Sequence, residues 1–89
     1  MYTHEIKPNL LDILKKLSRK DKELYSQVMK KIEEIVNSYD IEHYKNLRYD
    51  MKDCKRVHIG HFVLVFSFDK KNSFISFLDF DHHDNVFGK

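Results

Sequence analysis

The stretch Val57-His-Ile-Gly-His-Phe62 constrains this chain more than any other, because a two-residue loop opening on Gly60 allows its flanking strands one register. Glycine first in the loop suits a type II′ turn, whose first central residue needs a positive φ. Closing the hairpin there pairs Ile59 with Phe62, His58 with Val63, Val57 with Leu64 and Arg56 with Val65. Directly opposed residues share a face of the sheet. Val57, Ile59, Phe62, Leu64, Phe66 and Phe68 therefore make an apolar surface that helices can cover. Arg56, His58, Val63, Val65 and Ser67 make the other face. That face is half apolar, which predicts a concave groove or a surface covered by a partner.

The rest of the chain supplies the covering layer. Tyr2 to Lys7 alternates in type and predicts a short strand, after which Pro8 suits the first turn of a helix, where its missing N–H costs nothing. Leu10, Leu14 and Leu17 recur at helical spacing, flanked by Leu11 and Ile13. Ser18 and Asp21 have capping-box spacing and predict the start of a second helix. Its apolar stripe is Tyr25, Val28, Met29, Ile32, Ile35, Val36 and Tyr39, opposite a face carrying Lys22, Lys30, Lys31, Glu33 and Glu34. Asp69-Lys-Lys-Asn72 is a turn signal. Ser73 to Phe80 is apolar on both sides, which predicts a central strand. The expected fold is α+β: an N-terminal helical hairpin packed on one face of a small, mostly antiparallel β-sheet.

Eighty-nine residues with two glycines and one proline leave no room for a linker, so one domain over 1–89 is expected. Seven Phe and five Tyr must supply much of its buried area. A single cysteine, Cys54, permits no internal disulfide and suits a reducing, cytoplasmic setting. No apolar run approaches a membrane span or a leader, so no membrane partner is expected. Between Lys45 and His61, five Lys or Arg side chains stand against two acids, on a chain whose formal net charge is +2. A local basic strip of this kind reads as a docking surface for a polyanion.

Tyr44-Lys-Asn-Leu-Arg48, Lys55-Arg-Val-His-Ile-Gly-His-Phe62 and His82-His-Asp-Asn-Val-Phe87 resemble, in order and spacing, three segments of the RelE toxins of the RelE/ParE superfamily. These are the basic-loop leucine, the R-V-x-I-G hairpin and the terminal H-R-x-x-V-Y segment. The resemblance spans nearly the whole chain. It implies the toxin of a type II toxin–antitoxin system: a ribosome-dependent endoribonuclease that cuts mRNA, inhibits translation and is silenced by a RelB-type antitoxin. The chain departs from the family pattern at Val63 and His83, where arginines are usual, and at Phe87, where tyrosine is. Related superfamily members inhibit DNA gyrase without cutting RNA. A ParE-like inhibitor and an inactive member serving as a binding module are therefore the alternative readings.

Cleavage of RNA by its own 2′-hydroxyl needs a base, a cationic clamp for the developing phosphorane and an acid for the leaving oxygen, with no cofactor and no metal. Arg56 suits the clamp, because its fork fits phosphate and never loses its proton. His58 suits acid–base work near neutrality, and His83 is the second proton-transfer candidate. Lys45, Arg48, Lys52 and Lys55 are expected to hold RNA and ribosome phosphates. His82 and His83 lie amid Asp79, Asp81 and Asp84, but adjacent residues of an extended segment point apart, so no metal site is expected. The expected partners are the antitoxin and the ribosome with bound mRNA, with no small-molecule substrate. Free RNA is expected to be a poor substrate, most of the positioning coming from the ribosome.

Overall fold

A computed structural model describes residues 2–47 and 53–87. Strand β1 (Thr3–Ile6) leads into α1 (Pro8–Lys20) and α2 (Lys22–Val36). A single 3-10 turn (Ile41–His43) follows, then β2 (Cys54–Ile59), β3 (Phe62–Asp69), β4 (Phe74–His82) and the short α3 (His83–Phe87). The sheet order is β1-β4-β3-β2, with β1 parallel to β4 and the other neighbours antiparallel. This is the expected α+β architecture, and β4 is interior to the sheet as its composition predicts.

Local chemistry explains each helix. Pro8 opens α1 in its first turn. The boundary between the helices falls later than the capping-box spacing predicts: α1 runs through Ser18, whose hydroxyl donates to the Lys15 carbonyl at 2.7 Å. Asp21 is the cap instead. Its Oδ1 accepts from the Leu24 amide at 3.0 Å, satisfying one of the unpaired donors at the start of α2. The second helix buries Val28, Ile32, Ile35 and Val36 and ends there, so Tyr39 lies beyond the stripe and is wholly exposed.

The β2–β3 register is the one the Gly60 turn dictates, from Ile59 opposite Phe62 to Arg56 opposite Val65. Gly60 has φ +63°, and His61 is not in the positive region, as a type II′ turn requires. Ile59, Leu64 and Phe66 join Leu10, Leu14, Val28, Ile32, Ile35, Ile75, Phe77 and Phe80 in one core beneath the helices. Phe77 and Phe80 both reach it because of an irregularity in β4. Val65 pairs with Asp79 but Phe66 with Phe77, so Leu78 is an extra residue that restores both rings to one side. The apolar run in β4 thus reflects a bulge as much as burial on two faces.

Candidate active site

Adjacent strand residues point to opposite faces, so β2 divides its side chains between two environments. Arg56 and His58 lie on the face away from α1 and α2. This face is not an open groove. The last residues fold back over it as α3, which packs on β3 and β4, and Val63 and Val65 beside His58 and Arg56 are buried. The His83 amide donates to the His61 carbonyl at 2.8 Å and anchors the start of α3 to the hairpin turn. Asn85 Nδ2 donates to Asp81 Oδ1 at 3.1 Å and ties the middle of α3 to β4.

This return of the chain brings three rings and a guanidinium together. The His58 ring stacks on His83 with centroids 5.3 Å apart and on Phe87 at 6.1 Å. Arg56 Cζ lies 5.2 Å from the Phe87 centroid, a cation–π distance. Phe87 thus packs against His58, His83 and Arg56 as the apolar member of the cluster. His58 titrates below the usual 6.5, chiefly because packing removes water from its ring, with the charges of Arg56, His83 and Lys45 adding to the effect. The shift favours the neutral imidazole, the form that accepts a proton.

On the outer edge of β2, residues 45–47 run alongside the strand. Leu47 N donates to Cys54 O at 2.8 Å and Arg56 N to Lys45 O at 2.9 Å, with Asn46 bridged to Lys55. Arg56 Nε also donates to the Asn46 carbonyl at 3.2 Å. A recess of about 350 Å³ lies between this segment and β2, lined by His43, Tyr44, Lys45, Arg56, Val57 and His58. Lys45 is exposed at its rim. A larger groove of about 450 Å³ on the helical side, lined by Ile6, Leu11, Leu14, Tyr25 and Met29 among others, combines no histidine with an arginine.

No family model matches the chain. The "Putative toxin RelE4" of Methanocaldococcus jannaschii is 51% identical over 90 residues, spanning 100% of this chain and 94% of that protein. The chain belongs to the RelE family. An uncharacterized protein of Methanosarcina mazei is 39% identical over 98% of the chain and 100% of its own length. The fold agrees with solved RelE structures. The isolated E. coli RelE toxin superposes with TM-score 0.73 at 20% identity, over 92% of this chain and 84% of that one. RelE in the intact E. coli RelBE toxin–antitoxin complex gives 0.72 at 20% identity, over 92% and 96%.

Within this RelE fold, the expected site residues fare differently. Arg56, His58 and His83 converge on one cluster, with Lys45 at the recess beside it. Arg48 and Lys52 lie outside the described residues. Lys55 does not fit its expected role as a phosphate contact. It is 3% exposed and points toward the helical side, sharing the face of Val57 and Ile59. Its ammonium is spent internally, on Asn46 Oδ1 at 3.0 Å, Tyr44 O at 3.3 Å and Glu42 Oε1 at 3.5 Å. Asn46, which touches both Lys55 and Arg56, lies inside the Tyr44–Arg48 segment singled out from sequence, but nothing in the residue pattern assigns it a role. His82 stacks with His61, centroids 6.3 Å apart, and turns away from the cluster. Among the described residues no group of three or more His, Cys, Asp or Glu side chains could hold a metal ion, and no helix is long and apolar enough to cross a membrane.

Proposed function

We propose that this RelE-family protein is the toxin of a RelBE-type toxin–antitoxin pair and cleaves ribosome-bound mRNA through the attack of a 2′-hydroxyl on the adjoining phosphate. The observation that carries the reading is the placement of Arg56 and His58 on one face with His83 brought beside them by α3. Neutral His58 takes the 2′-hydroxyl proton. Arg56 stabilises the charge that develops on the phosphorane oxygens, and His83 donates to the leaving 5′-oxygen. Val63 is buried and apolar, so Arg56 is the clamp on these strands, while Lys45, with Arg48 and Lys52 from the neighbouring loop, steers the RNA backbone.

A RelB-type antitoxin silences the protein by covering this face and neutralising its excess positive charge. That partner is supported by the fold shared with RelE in its RelB complex. The test is a translation extract supplied with purified protein. Truncated mRNA whose new ends fall within ribosome-covered codons supports the reading. Intact mRNA together with trapped gyrase–DNA complexes replaces it with the ParE-like one, and neither effect leaves a binding module.

A further inference from the structure

The Lys55 ammonium donates to Asn46 Oδ1 and Tyr44 O and forms an ion pair with Glu42 Oε1 at 3.5 Å, and all three partners belong to the segment Glu42 to Asn46. A charge this deeply buried is retained at a desolvation cost, and breaking its contacts leaves an unpaired ion. Its partner Asn46 is gripped from both sides of β2. Lys55 holds the side-chain oxygen from the helical face, and Arg56 holds the main-chain oxygen through Nε from the other. Arg56 is thereby fixed at Nε and over the Phe87 ring, and among the described residues no hydrogen bond or ion pair takes its terminal nitrogens.

We propose that Lys55 is a positioning residue. By locking the Tyr44–Asn46 segment from the buried side of the sheet, it sets the Asn46 carbonyl that aims the Arg56 fork at phosphate. The proposal rests on the reading of Arg56 as the clamp in RNA cleavage. A misplaced clamp loses transition-state contacts more than ground-state binding, so the effect falls on kcat.

The experiment compares K55M, N46A, R56A and K55M/R56A with the wild-type protein, using programmed ribosomes for kinetics and NMR of the Arg56 Nε–H for its exchange with water. Expected in K55M are a kcat lower by about tenfold to a hundredfold, a KM within about twofold of wild type, and faster Nε–H exchange. N46A, which removes one of the partners of the buried ammonium and leaves Lys55 in place, should repeat the pattern and gives an independent readout if K55M does not fold. K55M/R56A should be no slower than R56A, because Lys55 acts through Arg56. Unchanged kcat, a penalty that multiplies with that of R56A, or unchanged Nε–H exchange in both K55M and N46A overturns the proposal. If wild type cuts nothing while K55M still frees the Nε–H, the positioning role stands and the cleavage reading falls.

Discussion

Arg56 combines a root fixed at Nε with a tip that no described residue pairs with, and that is what a phosphate clamp needs. R56A is expected to lower cleavage of ribosome-bound mRNA by about a hundredfold or more, read by primer extension. R56K should recover only part of it, since an ammonium keeps the charge but loses the planar fork. Wild-type rates from R56A would remove the residue from the mechanism. His58 makes a separate prediction from its lowered pKa. In the unfolded chain its imidazole titrates near 6.5, and in the folded protein it titrates lower, so the unfolded state binds its proton more readily. The stability it contributes at neutral pH is therefore lost as pH falls below about 6.5 and through the folded value. Urea denaturation at pH 7.5 and 5.5 should show a larger loss for wild type than for H58Q; equal losses would refute the packing-driven shift. Strand parity, which places Arg56 and His58 on the face away from the helices, places Lys55 as well. It sits two positions from Val57 and four from Ile59, and so on the helical face, but its basic surroundings suggested the solvent side.

The hairpin was the most legible element because its register follows from a loop too short to have alternatives. Gly60 carries that burden through its φ of +63°, and a β-carbon there would meet no atom within 4 Å. The cost of G60A is therefore backbone strain alone, about 1–2 kcal/mol by chemical denaturation, and a near-neutral G60A would show that the turn relaxes to another type. Less legible were features that depend on a neighbour. Nothing in Phe74 to His82 marks Leu78 as the extra residue, because the need for a bulge arises only when Phe77 and Phe80 must both meet the helices. The helix boundary is a similar case. Ser18 and Asp21 both belong to the capping vocabulary, and the packing of Leu17 against the core keeps α1 helical past Ser18 and hands the cap to Asp21.

At the scale of the molecule, the sheet separates two kinds of burial. The helical side holds the continuous core, and no residue of α3 belongs to it. The other side has Val63 and Val65 beneath a five-residue helix that also delivers His83 and Phe87 to the cluster. The half-apolar character of that face was readable from the hairpin alone. What covers it was not, because a helix this short carries too little periodicity to be seen in sequence and forms only where tertiary contacts hold it. This division predicts the outcome of ending the chain at His82. The truncated protein should still unfold in one cooperative transition, since its main core is untouched, but it should bind a hydrophobic dye more strongly as Val63 and Val65 are uncovered. Cleavage should be lost with His83 and Phe87, and full-length activity from the truncated chain would place the chemistry elsewhere. Loss of cooperative unfolding would instead mean that the two sides of the sheet stabilise one another, and that α3 is part of the fold rather than a cover added to it.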